Sequence, residues 1–266
     1  MTSRCCISKW TIKPEHVNRL SDIILKADTE QAGAIVFDDE NMISSNVILN
    51  STGDKDSVHI NLSENHIISF HTHPITAYIQ AQCVYGHPSG DDIREFVRLS
   101  TSGALNHGVF AVEGFYLVQV HPRMVRYMQK LSNENRSIVL DAIYHYFKIY
   151  HGRRMYKNVK YSGYTPRDFI KACNSMKLTD LNLSNGNLDA SRFPKRVLSC
   201  VWFFTDTTKQ NERDYDKLWD DIQKRNVTIS YTNRINPITF PFLELKQSDR
   251  RLKKIIEKLD QCMLSD

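Results

Sequence analysis

The chain has 266 residues with 41% hydrophobic and 24% charged composition, close to ordinary globular usage, which argues against wholesale disorder. Ten Gly and eight Pro exclude collagen-like and low-complexity designs. No stretch approaches the roughly 18 apolar residues of a membrane span, and the Met1-Thr2-Ser3-Arg4 start has neither an apolar signal core nor a myristoylation glycine. A soluble chain of the cytoplasm or nucleus is expected.

The net charge of +5 is unevenly placed. Residues 1–122 hold 8 Lys+Arg against 14 Asp+Glu, and residues 123–266 hold 27 against 16, so an acidic half of −6 joins a basic half of +11. Such asymmetry suggests two jobs or two partners. The six cysteines, Cys5, Cys6, Cys83, Cys173, Cys200 and Cys262, contain no C-x-x-C pair, so reduced thiols are expected and a cysteine zinc site is not.

In chain order, Pro14 with Val17, Leu20, Ile24 and Ala27 predicts a helix over 14–28. Strands are expected at 34–37, 42–49, 57–62 and 67–70, the last running into His71-Thr72-His73-Pro74. Ser89 opens a helix with Ile93, Phe96 and Val97 on one face. Residues 107–112 and 115–120 flank Glu113-Gly114 as a hairpin. The fold class expected over 1–122 is therefore compact α/β or α+β. Beyond His121-Pro122, residues 124–151 read as helical with a break near 132–135, and 182–192 as an exposed linker. Strands are expected at 197–204 and 227–232, and an amphipathic helix at 249–263. A second, basic and mainly helical interaction domain over 123–266 follows from this reading.

The chemistry concentrates at His71-x-His73. Residues two apart on a strand share a face, so both imidazoles can meet one metal ion. Imidazole plus carboxylate ligands favour zinc. Ser89-x-x-Asp92 follows at a helix start, where the pair also fits a capping role. Glu30-x-x-Gly33 precedes, at the start of a strand. Asp91 and His87 are neighbouring alternatives as ligands, although His87 and His107 also fit loop or packing roles.

In that order, Glu30-x-x-Gly33, His71-Thr72-His73-Pro74 and Ser89-x-x-Asp92 resemble the signature of the JAMM (MPN+) zinc metalloprotease family. The resemblance covers about residues 5–125. It implies a JAMM-like mixed sheet with flanking helices, one zinc ion on His71, His73 and Asp92, and a metal-activated water as nucleophile. It further implies Glu30 as general base and acid, and Ser89 as a donor to the developing oxyanion. The activity implied is a deubiquitinase-like isopeptidase acting on ubiquitin or ubiquitin-like conjugates. The fourteen residues between Pro74 and Ser89 exceed the family's usual connection, and their apolar content suits packing or a substrate-gripping cover.

Two other classes are carried alongside. One is a non-catalytic MPN-like structural or interaction subunit of a large assembly, with a virus particle as one setting. The other is a nucleic-acid-associated factor. For the latter, Arg153, Arg154, Lys157, Lys160, Arg167 and Lys171 interleave with Tyr150, Tyr156, Tyr161 and Tyr164, which suits phosphate neutralisation and base stacking. The basic face of the last helix suits a protein partner with an acidic surface.

Overall fold

The computed structural model describes residues 7–12, 14–37, 44–53, 68–104, 106–147, 165–181, 183, 188–204, 215–225 and 235–239. The expected strands at 57–62 and 227–232 and the terminal helix at 249–263 lie outside these residues. Eight strands are described: β1 (Ile7–Ile12), β2 (Gln31–Phe37), β3 (Ser44–Thr52), β4 (Ile68–Thr72), β5 (Asn106–Ala111), β6 (Gly114–Val120), β7 (Leu198–Phe204) and β8 (Ile235–Thr239). The helices are α1 (Pro14–Lys26), α2 (Ile75–Ala81), α3 (Gly90–Ser100), α4 (Pro122–Lys130), α5 (Asn133–Tyr146), α6 (Pro166–Ser175) and α7 (Tyr215–Gln223). The class is mixed α/β, as the sequence pattern implies.

The strands form one mixed sheet in the order β7-β6-β5-β4-β2-β3-β1-β8. β4 runs parallel to β5 and antiparallel to β2, and β1 runs parallel to β3. The central strands β4, β5 and β6 are buried along their whole length, so both faces of the sheet's middle are covered. One face carries Ser69, His71, His107, Val109 and Tyr116, which the strand registers set side by side. α3 lies on that face, with Phe96 stacked on His107 at 4.6 Å between ring centroids. Phe70 and Phe110 point to the other face and meet edge to face at 5.1 Å. α1 also contacts β4 and β5, and its Leu20 and Ile24 are buried. The hairpin is closed at Ala111↔Gly114, and Gly108 is required because the Phe115 ring occupies the space of a Cβ there.

The expected domain boundary at 122 does not divide this sheet. β7 pairs with β6 and β8 pairs with β1, so residues from the basic half supply both outer strands. A single buried cluster runs from Leu20 through Phe70 and Tyr116 to Val139, Ile143, Phe169 and Ile222. His121-Pro122, expected to mark the break, is instead the N-cap and first residue of α4, and the His121 N–H donates to Val197 O at 3.0 Å. The buried cluster thus draws on residues from both sides of the charge step. The expected helical break near 132 does occur: Ser132 caps α5, and the Arg136 guanidinium donates to Met128 O and Leu131 O at the end of α4. Among the described residues, no helix is long and apolar enough to cross a membrane.

Candidate metal centre

Three neighbouring segments build the site. β2 and β4 are antiparallel with Ala32 opposite His71, so continuing that register by two residues sets Glu30 opposite His73. Both acid and imidazole therefore project from the same face. Between the two histidines, Thr72 turns to the other side, where its buried Oγ1 accepts the Gln31 N–H at 3.0 Å. That bond fixes the residue after Glu30 to the residue between the histidines. Glu30 is held from its other side as well, its carbonyl accepting the Gly53 N–H at 2.8 Å.

The third segment is the start of α3. Ser89 and Asp92 form a reciprocal capping box: Ser89 Oγ accepts the Asp92 N–H at 3.1 Å, and Asp92 Oδ2 accepts the Ser89 N–H. A serine cap of this kind contributes about 0.5–2 kcal/mol. Asp92 serves two purposes at once, because its other oxygen, Oδ1, lies 3.1 Å from His71 Nε2. The cap and the His71 contact share one carboxylate.

His71 Nε2 and His73 Nε2 are 3.0 Å apart, and Asp92 Oδ2 lies 3.6 Å from His73 Nε2. Ligand atoms around a tetrahedral ion with bonds of about 2.1 Å stand about 3.4 Å from one another. The observed separations, 3.0 Å between the imidazoles, 3.1 Å from His71 to Asp92 Oδ1 and 3.6 Å from His73 to Asp92 Oδ2, are of that order, with one carboxylate oxygen facing each imidazole. His71, His73 and Asp92 thus form a group that could hold a metal ion. The ring chemistry agrees. His73 Nδ1 bonds to Gly86 O at 3.0 Å, so the neutral ring donates from Nδ1 and turns its Nε2 lone pair to the cluster. Phe96 stands beside His71, with ring centroids 6.0 Å apart, and lends the site an apolar wall.

Glu30 is outside the ligand group. It is buried, with Oε1 3.8 Å from His73 Nε2. Asp91, one of the two alternative ligands, faces away and pairs with Arg94 at 2.6 Å. His87, the other, is also not among the converging atoms: its Nδ1 meets Tyr116 Oη at 3.0 Å and its ring stacks on Phe169 at 5.1 Å. His107 is a packing histidine, bonded to Ser69 Oγ and Ala104 O. The long connection from Pro74 to Ser89 is not a loose cover over its second half, since residues 83–88 are buried. Sequence reasoning missed α2, the Thr72 anchor and the Gly86 carbonyl. Only Thr72 left a signal, as the residue between two histidines that must face away from them.

Burial opposes the negative charge of Asp92, but the facing His71 and His73 imidazoles outweigh it and hold the carboxyl well below the usual aspartate range. Burial likewise disfavours a charged His73, yet Asp92 and Glu30 reverse this and push it up to about 9. In the metal-free protein, the His73 contribution to stability is complete below its ordinary value of 6.5 and is lost as pH rises through about 9. The Asp92 contribution is present above 3.8 and fades as pH falls through its depressed value. Metal-free protein is therefore expected to melt at progressively lower temperature between pH 6.5 and 9. Metal must displace the His73 proton, so the added melting temperature from saturating metal is expected to grow across the same window. Thermal scans with chelator and with metal at several pH values test both slopes; a metal-induced shift that shrinks toward pH 9 contradicts the ligand assignment.

Arg167 and Lys171, from the tyrosine-interleaved basic stretch, are exposed on α6. Residues 148–164, which hold the rest of that stretch, lie outside the described residues. Searched against protein-family models and curated proteins, the chain matches none.

Proposed function

We propose that this chain is a zinc-dependent isopeptidase of the JAMM type, hydrolysing the amide bond between ubiquitin, or a ubiquitin-like protein, and a lysine side chain. The observation that carries the reading is the convergence of His71, His73 and Asp92, with the Glu30 carboxylate 3.8 Å from the nearest imidazole and outside the ligand set. Two ligands from a strand end and one from a helix start leave a coordination position for water or substrate. Zinc bound there supplies Lewis acidity and lowers the pKa of water toward neutrality.

Glu30 takes a proton at its carboxylate as water attacks, and returns it to the departing lysine amine. Its burial keeps that carboxylate away from bulk solvent, and the Gly53 and Thr72 contacts keep its backbone in place. Ser89 Oγ accepts from the Asp92 amide, which leaves the hydroxyl proton for the carbonyl oxygen on which charge develops. All of the residues in the signature that perform these roles are present in order. Completeness favours catalysis over a purely structural MPN-like role. The nucleic-acid reading rests mainly on residues 148–164 and gains nothing from the described fold.

The protein is expected to purify with about one zinc per chain, and to cleave at least one linkage-defined diubiquitin with loss of turnover on chelation and recovery with zinc. Less than about a tenth of an equivalent of zinc, after reconstitution, would exclude the metalloenzyme. Zinc present without cleavage of any conjugate would favour the structural subunit.

A further inference from the structure

A second buried polar cluster sits behind the metal ligands, and no sequence motif announces it. Glu113, in the two-residue turn between β5 and β6, is buried. Three donors converge on its carboxylate: the Tyr116 hydroxyl at 2.6 Å and the Gly86 N–H at 2.8 Å on Oε1, and the Tyr78 hydroxyl at 2.6 Å on Oε2. Tyr78 Oη in turn accepts the Val112 N–H at 2.8 Å, and Tyr116 Oη meets His87 Nδ1 at 3.0 Å. The cluster links α2, the 83–88 segment and the hairpin turn.

Gly86 is the element that joins this cluster to the metal centre. Its N–H is held by Glu113, while its carbonyl accepts from His73 Nδ1. A side chain at residue 86 would collide with Tyr78, whose hydroxyl lies 2.2 Å from the place of a Cβ. The backbone of residue 86 is therefore clamped by a carboxylate on one side and a tyrosine on the other, and its carbonyl is aimed at a metal-ligating imidazole. Outer partners of this type fix ring orientation and raise ligand basicity. Nothing in the reaction chemistry requires a buried glutamate in a hairpin turn, which makes its three bonds the more informative.

We propose that Glu113 is a positioning residue for the metal centre, acting through the Gly86 backbone to hold His73 with Nε2 toward the ion. The proposal rests on reading His71, His73 and Asp92 as a metal site. It makes the fourteen-residue connection part of the ligand support.

The test separates reach from charge. Glu113→Gln keeps the length: its amide oxygen still accepts from Gly86 and Tyr116, and only the Tyr78 donor loses its acceptor. Glu113→Asp keeps the charge but is one methylene too short to hold Gly86 and both tyrosines. Zinc affinity, measured by competition with a chromophoric chelator on folded protein, is expected to stay within about threefold for Glu113→Gln and to weaken by about ten- to hundredfold for Glu113→Asp. A merely structural role would lower both melting temperatures without moving affinity per folded molecule. Unchanged affinity in Glu113→Asp, or equal weakening in both variants, overturns the proposal. Should Glu113→Asp fail to fold, nitrogen NMR of the ¹¹³Cd-loaded wild type decides: cadmium coupling to His73 Nε2 is expected, and coupling to Nδ1 overturns it. Wild-type protein that binds neither metal would remove the metal-site reading itself, a different result from a failure of Glu113 alone.

Discussion

Glu30→Gln is expected to leave zinc content unchanged and to lower isopeptide turnover by about 10²- to 10⁴-fold. The two halves of this result come from one geometric fact. Glu30 lies 3.8 Å from His73 Nε2 but is not in the ligand group, so replacing its charge removes no metal bond. Glutamine matches the shape and fills the same buried space, so the β2–β4 register and the Gly53 contact have no reason to change. What disappears is the ability to accept a proton. The loss should fall on kcat rather than KM, because conjugate binding does not depend on a buried proton acceptor. Turnover that survives the substitution would put the base elsewhere, and loss of zinc would make Glu30 a ligand.

His71→Ala has the opposite signature: zinc and turnover should vanish together. His71 is one of the three residues that could hold the ion, and its Nε2 lies 3.1 Å from Asp92 Oδ1. With two ligands left, affinity should fall below what purified protein can retain through dialysis. The fold should persist. The neighbouring backbone of β4 is paired with β2 and β5, and Asp92 keeps its capping bond to the Ser89 N–H. Circular dichroism like that of the wild type, with background zinc and no hydrolysis, is the expected combination. Full zinc retention in this variant would sink the site as assigned.

Much of this centre was legible because each part lies within a short local pattern. A strand pattern ending in His-x-His fixes which faces the imidazoles share, and Ser-x-x-Asp before an apolar helix marks a capped start. Glu30 was weaker, since nothing local shows that it meets a histidine 43 residues later; register between β2 and β4 creates that pair. His87 illustrates the converse. Next to Pro88 and near the site in sequence, it resembles a spare ligand, but Tyr116 and Phe169 from distant elements take its ring away.

The same distinction governs the fold. The hairpin and α3 announce themselves through alternation and helical spacing. The short α2 did not, because its apolar residues pack within a connection that read as a loop. Neither did the continuity of the sheet across residue 122. A charge step is written along the chain, whereas β6–β7 and β1–β8 pairing is written only in three dimensions. The basic half was expected to form a separate interaction domain, yet its described strands help complete the sheet on which the two histidines stand.

The pairing of Ile7 with Thr239 bears on how the chain is made. At roughly 5–20 residues per second, the ribosome needs on the order of ten seconds to a minute to deliver β8 after β1 has emerged. β3 can pair with β1 early, but the other edge of β1 waits for nearly the whole chain. β6 likewise stays open until residues 198–204 arrive. Two unpaired strand edges on a nascent chain are sites where one copy can stick to another. Yield of folded protein should thus depend on translation speed and on chaperones that cover strand edges, well before any metal is bound.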